Sequence, residues 1–261
     1  MRVTRHRAAD VDRALYLRGL NTCFPGWGGE DRFAWCFARV LAGREPDLLL
    51  VNDGGMTIAG SAIVYRTIQC ADGTRLRAGI IVGSWTLPEA RGRGAFSCLL
   101  EESLVVAEDR EAPLLIAFLA AANLSRGPVA AVASLMVPIY YCRLPVSQDV
   151  ASLPSPTADA SHFVYTDEEW RSQFIERPGV IERLSGSGWS AVLERADATD
   201  RVLHLDGDRD AALAALRKRG RELFFFATVA PVGFDITPGY FATFTARGTG
   251  SVWNIQNGDR M

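Results

Sequence analysis

The stretch Ile80-Ile81-Val82-Gly83-Ser84-Trp85-Thr86-Leu87-Pro88-Glu89-Ala90-Arg91-Gly92-Arg93-Gly94-Ala95-Phe96-Ser97-Cys98-Leu99-Leu100 decides the fold. It opens as an apolar strand, crosses a turn of glycine and arginine, and continues at helical spacing. Phe96, Leu99, Leu100, Leu104 and Val105 share one helix face, which predicts a helix to about Glu111. A glycine turn between a strand and a helix exposes backbone N–H groups at the helix's positive end, and such an end binds phosphate. Glycine lets the backbone approach an anion closely. Arg91 and Arg93 add guanidinium groups that can each pair with two phosphate oxygens. The bland alternative is a solvated turn carrying two surface arginines.

The turn excludes two common phosphate loops. A Walker loop needs Gly-Lys-Ser/Thr after its glycines, and this chain has Gly94-Ala95-Phe96. A dinucleotide fingerprint needs a third glycine, where Ser97 stands, and an acid at the end of the next strand. Ala117-Phe118-Leu119-Ala120 offers no acid.

Working outward, strands and helices alternate. Ala8 to Gly19 is expected as a first helix with Asp10 as its N-cap, and Asp31 to Ala42 as a second. Leu48 to Val51 is a short strand. Asn52-Asp53-Gly54-Gly55 is a hairpin turn, since these residues tolerate positive φ. Met56 to Gln69 and Arg75 to Leu87 are strands joined at Ala71-Asp72-Gly73. Pro113 to Leu119 suits a strand buried on both faces. Ser125 to Ala133 suits a short helix. Met136 to Leu144, interrupted by Pro138, fits a strand or a last helical turn.

Residues 145–169 read as a Pro- and Ser-rich linker. Beyond it, Trp170 to Ile175 is expected to be helical, Ser190 to Arg195 and Arg201 to Leu205 strands, Asp210 to Arg221 a helix, and Leu223 to Val229 a strand. Tyr240 to Ala246 and Val252 to Ile255 complete a second, fainter round of the same alternation. The expected architecture is α/β, a mixed sheet flanked by helices. Residues 1–145 form the first domain and residues 146–261 a C-terminal α/β lobe.

The segment from Thr86 to Gly94 resembles the acyl-CoA motif of the GNAT superfamily of N-acetyltransferases. That motif is a strand with a Val-x-Pro-like end, then Arg/Gln-x-x-Gly-x-Gly/Ala, then a helix. Thr86-Leu87-Pro88-Glu89-Ala90-Arg91-Gly92-Arg93-Gly94 follows it, and Phe96 replaces the final small residue. The hairpin at Asn52 to Gly55, Ile58-Ala59-Gly60 and Asn123 also fall where that family has counterparts. The resemblance covers about residues 1–145. It implies a GNAT-like fold, and the fainter alternation beyond it leaves the C-terminal lobe open as a degenerate second half.

It also implies roles. Ser84, Trp85 and Thr86 would present backbone groups to the pantetheine arm and thioester of acetyl-CoA. Arg91, Gly92, Arg93, Gly94, Ala95 and Phe96 would hold the pyrophosphate, with Asn123 beside the CoA arm. A backbone N–H would polarise the acyl carbonyl, and a small-molecule primary amine, such as an amino sugar, would attack it directly. Tyr141-Cys142-Arg143-Leu144 resembles the family's Tyr-x-x-Leu turn, whose tyrosine protonates the leaving thiolate. Tyr141 is preferred over Tyr140, because adjacent side chains diverge. A phenol of pKa near ~10 suits a general acid for a thiolate. Simple packing is the alternative for both tyrosines. No acid on the strand from Arg75 to Leu87 offers a base. A non-catalytic CoA-binding module and a longer-chain acyltransferase stay open as other functions.

Composition bounds these readings. The 261 residues are 48% hydrophobic and 22% charged, with net charge -2, which is a globular profile without the basic excess of a nucleic-acid binder. Arginine dominates the cations, a bias expected of a GC-rich bacterial genome. Cys23, Cys36, Cys70, Cys98 and Cys142 are odd in number, dispersed and without a CxxC pair. Neither a disulfide framework nor a metal site is expected, and the compartment reads as cytoplasmic. Cys98 and Cys142 read as core residues. No apolar run approaches the ~20 residues of a membrane span. Trp27 and Trp35 suit an acceptor pocket or the core equally. Asn257-Gly258-Asp259 reads as a surface turn. A homodimer is left open.

Overall fold

The computed structural model describes residues 1–120, 126–148, 153, 157, 159–244 and 252–259. The N-terminal part contains β1 (Arg2–His6), α1 (Arg13–Cys23), α2 (Glu30–Phe37), β2 (Asp47–Asp53), β3 (Met56–Gln69), β4 (Arg75–Thr86), α3 (Ala95–Asp109), β5 (Leu114–Ala120), α4 (Arg126–Val132) and β6 (Leu135–Leu144). There follow β7 (Ser161–Val164), α5 (Asp167–Trp170), which widens into a π-helical turn over Arg171–Ile175, β8 (Val180–Gly186), β9 (Trp189–Ala196), β10 (Thr199–Gly207), α6 (Arg209–Arg217), β11 (Glu222–Ala227), β12 (Asp235–Phe244) and β13 (Trp253–Asn254).

Thirteen strands among the described residues join one sheet, in the order β1-β2-β3-β4-β5-β12-β6-β11-β10-β9-β8. β7 pairs with β3 and β13 off this path. Two pairings in the main path are parallel, β4 with β5 and β10 with β11. Each follows a crossover through one helix, α3 or α6. A parallel neighbour needs such a crossover, because a hairpin can only reverse the chain. The order β2-β3-β4-α3-β5 therefore recurs as β8-β9-β10-α6-β11. The faint sequence repeat is a repeat of topology, and the sheet is of the mixed, helix-flanked class expected.

The two rounds are interlocked at the centre. β6 leaves the first round and pairs with β11, while β12 leaves the second and pairs with β5. β6 and β12 then pair with each other over nine residue pairs, Asp235↔Arg143 to Thr243↔Leu135. The sheet thus runs unbroken past residue 145.

Alternation along the strands builds a core on each face. One side carries Ile63, Leu115, Ala117, Ala242 and Phe244 against Leu99, Leu100 and Val106 of α3. The same side, further along, carries Cys142, Leu193 and Phe225 against Leu213 and Leu216 of α6. The opposite side carries Val64, Ile80, Phe241 and Trp253 against Tyr16 and Leu20 of α1 and Phe33 and Phe37 of α2. No described helix is long and apolar enough to cross a membrane.

Several boundaries move for identifiable reasons. α1 starts at Arg13, because Asp12 rather than Asp10 caps it: its carboxylate accepts from Leu15 N–H at 3.0 Å. α2 ends at Phe37, well short of Ala42, which sits at positive φ in a turn closed by Leu41 and Arg44. β1, hidden in a basic stretch, pairs along β2. The predicted linker contains β7, which docks on β3 at Thr67–Gln69. Met136 to Leu144 is a strand. β8, unpredicted, is an edge strand of mixed polarity. Asn257-Gly258-Asp259 is a buried turn, not a surface one. Its Gly258 lies where any side chain would meet the Phe174 ring at 2.2 Å.

Candidate active site

β4 and β5 pair only from Ala78↔Leu114 to Ile81↔Ala117. Beyond that point they part. β4 stays with β3, while Phe118, Leu119 and Ala120 of β5 pair with Phe241, Tyr240 and Gly239 of β12. The result is a fork in the sheet. β4 is also bulged at its base, where Gly83 and Ser84 together oppose Ser61. Gly83 takes φ +57°, which suits glycine, and the Ser84 and Ser61 hydroxyls are 2.7 Å apart. A glycine inside an apolar strand was the sequence signal for this bulge.

Leu87 N–H donates to Ile58 C=O, so by antiparallel alternation Trp85 also bonds toward β3 and Thr86 turns its backbone to the fork. The Thr86 carbonyl accepts from Cys23 Sγ at 3.2 Å and from Arg91 Nε at 3.4 Å. The Trp85 side chain goes the other way. Its indole lies edge-on to Tyr16, and a Cβ added at Gly19 or Gly60 would come within 2.7 Å of it. Trp85 therefore sets the spacing between α1 and the sheet, and Thr86 faces the fork.

Past the fork, the chain makes a single turn at Pro88–Ala90 and enters α3 through Arg91-Gly92-Arg93-Gly94. Gly92 and Gly94 have φ of +73° and +83°. Nothing lies within 4 Å of a Cβ added at either, so conformation rather than crowding requires glycine, and the space beside them is open. Gly94 is the N-cap of α3 and has no side chain to accept from the first amides of the helix. The first intrahelical bond there is Cys98 N–H to Gly94 C=O. The N–H groups of Ala95, Phe96 and Ser97 thus lack intrahelical acceptors at the positive end of a fifteen-residue helix. Phe96 tucks its ring against the core beneath α3, so its bulk leaves this backbone surface clear. Arg91 and Arg93 are exposed on either side of Gly92. Arg93 forms an ion pair with Asp53 at the end of β2, which ties the loop to the hairpin at Gly54 and Gly55.

The two tyrosines are separated by strand alternation. Tyr141 lies in β6 on the face of α1 and α2, its ring edge-on to Phe226 at 4.8 Å. The ring passes over Gly239, whose Cβ, were there one, would lie 2.3 Å from Tyr141 Cε2 and 2.7 Å from the Leu119 carbonyl. Glycine at 239 is what lets Tyr141 reach toward the end of β5. The Tyr141 hydroxyl is buried. Tyr140 packs on the opposite face, with the α6 core. Asn123 lies outside the described residues. Trp35 is a core residue whose indole N–H donates to Ser172 C=O at 2.9 Å. Trp27 stacks on Phe37 at 5.7 Å in the α1–α2 loop. Cys98 is half-buried on α3 and Cys142 fully buried.

A second fork occurs where β10 and β11 part, after Arg201↔Phe224, and it too begins at a bulge, between Val202 and His204. Its helix is closed. The Asp208 carboxylate caps α6, accepting from Asp210 N–H at 3.1 Å and Ala211 N–H at 3.0 Å. Its open edge is also occupied. Leu205 N–H donates to the Gln256 carboxamide oxygen at 2.7 Å. The buried turn at Asn257–Asp259 holds Gln256 there. Only the first fork offers an anion a bare helix end.

No protein-family model and no curated protein matches the chain. Solved structures match it closely in shape. The GCN5-related N-acetyltransferase from Kribbella flavida superposes with a TM-score of 0.60 at 18% identity, over 93% of this chain and 70% of that one. The GCN5-related N-acetyltransferase from Anabaena variabilis ATCC 29413 gives 0.62 at 13% identity, over 93% and 72%. A tandem GNAT protein from the clavulanic acid biosynthesis pathway gives 0.58 at 11% identity, over 93% and 97%. At these identities the likeness is one of fold, and the chain has the GNAT fold.

Proposed function

We propose that this chain, built on the fold of the GCN5-related N-acetyltransferases, is an acyl-CoA-dependent N-acyltransferase that moves an acetyl or short acyl group to a primary amine of a small molecule. The observation that carries the reading is the bare N-terminus of α3 opening beside the β4–β5 fork. The amides of Ala95, Phe96 and Ser97, with Arg91 and Arg93, hold the pyrophosphate of CoA. The Thr86 backbone, turned to the fork, pairs with the amide-bearing pantetheine arm.

Acetyl-CoA supplies the activated acyl group. The amine nitrogen attacks the thioester carbonyl carbon, a C–N bond forms, the C–S bond breaks and CoA leaves as its thiolate. Backbone N–H groups at the bulged part of β4 steady the carbonyl oxygen. The amine proton passes to water, Tyr141 gives its phenol proton to the thiolate, and water returns a proton to Tyr141. The amide product and free CoA balance the two substrates. The site calls for no metal, and the cytoplasm supplies acetyl-CoA and keeps the five thiols reduced.

Release of free thiol from acetyl-CoA across a panel of amino sugars, polyamines and amino acids tests this. Amine-dependent release supports the transferase. One observation favours the rival reading, a CoA-binding module without turnover: the Tyr141 hydroxyl is buried. Tight acetyl-CoA binding with no release for any amine would decide for that rival.

A further inference from the structure

The second fork is closed at its helix end by Asp208 and along its edge by Gln256, yet it is not full. Between the parting strands lies a cavity of about 310 Å³. Its walls come from both cores, Leu205 and Phe225 from the α6 side and Phe163, Phe226 and Ile255 from the other. A cavity of this size, lined mainly by apolar and aromatic side chains, has the dimensions of a small-ligand site. Its charged groups are already compensated. Arg209 is engaged within the protein, and the Asp206 carboxylate acts on its charge. Asp259 accepts from Tyr165 O–H at 2.9 Å and from Gln256 N–H at 2.7 Å, and the buried Arg66 guanidinium acts on it in turn. An anionic ligand would meet the two carboxylates, and a cationic one the fields of the two guanidinium groups. An ion loses its hydration on entering such a wall without gaining a counter-charge, so the cavity selects a neutral molecule.

Neutral hydrogen-bonding groups line it as well. His204 sits at the β10 bulge and faces the cavity, its ring held against Trp170 and Phe174 with centroids 5.8 and 5.2 Å away. Neither ring nitrogen has a hydrogen-bond partner among the described residues. Burial lowers the pKa of His204, which keeps the imidazole uncharged. A neutral imidazole offers one donor and one acceptor. At the next residue of β10, Leu205 N–H donates to the Gln256 carboxamide oxygen at 2.7 Å, which leaves the Gln256 NH2 group as a donor on the same wall. A hydroxyl can donate to an imidazole nitrogen and accept from an amide N–H at once. The cavity thus pairs an aromatic body with a neutral, hydroxyl-matching end.

We propose that the β10–β11 cavity binds a neutral, ring-bearing alcohol or phenol, its hydroxyl on His204 and its ring between Leu205, Phe225 and Phe226. The site is separate from the first fork and does not rest on acyl transfer there.

Calorimetric titration of the full chain with 4-ethylphenol at neutral pH, with and without acetyl-CoA, tests the proposal. One saturable site, unaffected by acetyl-CoA, is expected. On the wild-type protein, 4-ethylanisole, which keeps the ring and cannot donate, should bind about tenfold more weakly, and the charged 4-ethylbenzoate more weakly still. His204→Phe should weaken 4-ethylphenol about tenfold while leaving 4-ethylanisole within twofold, with a wild-type melting transition as the fold control. Should that variant melt early, the ligand series on the wild-type protein decides alone. No saturable binding at millimolar 4-ethylphenol would overturn the proposal. So would equal affinity for 4-ethylbenzoate, equal affinity for 4-ethylphenol in a folded His204→Phe, or displacement by acetyl-CoA, which would place the phenol in the first fork.

Discussion

Gly94 and Asp208 hold corresponding places, each the residue before the helix that follows a forked strand, and only Asp208 puts an oxygen on its helix end. One side chain thus separates a helix that can take an external anion from a helix that supplies its own. A carboxylate cap satisfies two amide donors and puts its own negative charge at the positive end of the helix, where it would repel a phosphate.

The two positions should respond oppositely to substitution. Gly94→Val forces a β-branched residue to φ +83°, at a cost of about 1–2 kcal/mol or more. It should weaken acetyl-CoA at least tenfold by calorimetry. Asp208→Ala should cost about 1 kcal/mol in urea unfolding and leave acetyl-CoA affinity unchanged. Unaltered binding in Gly94→Val would remove the loop from the site.

In the proposed site, Asp53 competes with the CoA phosphates for Arg93. The pair is partly solvated, so breaking it should change stability by less than about 1 kcal/mol. Asp53→Asn should tighten acetyl-CoA binding severalfold by freeing the guanidinium, and Arg93→Gln should weaken it severalfold. Weaker binding in Asp53→Asn would mean that the ion pair positions the loop instead.

Strand alternation puts Tyr141 and Tyr140 on opposite faces, so their variants should part company. Tyr141→Phe should lower kcat for thiol release at least tenfold with little change in KM for acetyl-CoA. Tyr140→Phe should leave both constants within twofold. Equal effects, or none from Tyr141→Phe, would assign Tyr141 to packing over Gly239 alone.

Asp259 gives the chain a pH signature. Burial pushes its carboxyl from 3.8 up to about 6, against opposing bonds from Gln256 and Tyr165. Between those values the folded state holds a proton that the unfolded chain has released. Its contribution is therefore fully present near pH 4 and is lost as pH rises through 6. Relative to Asp259→Asn, wild type should lose at most about 1.4 kcal/mol per pH unit across that window and then level off. A difference that is flat or reversed from pH 4 to 7 would contradict this.

Much of this was legible in the chain, for reasons particular residues make plain. The hairpin at Asn52 to Gly55 follows from glycines at 54 and 55, both at positive φ. Gly92 and Gly94 announced a turn, and Leu99 and Leu100 the helix behind it. What stayed hidden depends on partners distant in sequence. β1 is too polar to look like a strand until β2 pairs with it. β12 looks like any late strand, and only the completed sheet shows it between β5 and β6. Asn257-Gly258-Asp259 has the composition of a surface turn, and it is buried because Gly258 leaves room for the Phe174 ring. The closing of the second fork's edge by Gln256 follows from that same long-range packing, whereas Asp208 caps α6 through its own next neighbours.

The central claim is that CoA binds through the bare end of α3 and nowhere else in the chain. Calorimetric titration of acetyl-CoA into the protein measures this most directly. The account predicts saturation at one equivalent per chain, lost in Gly94→Val and retained in Asp208→Ala. No binding at millimolar acetyl-CoA, or saturation at two equivalents, would contradict it.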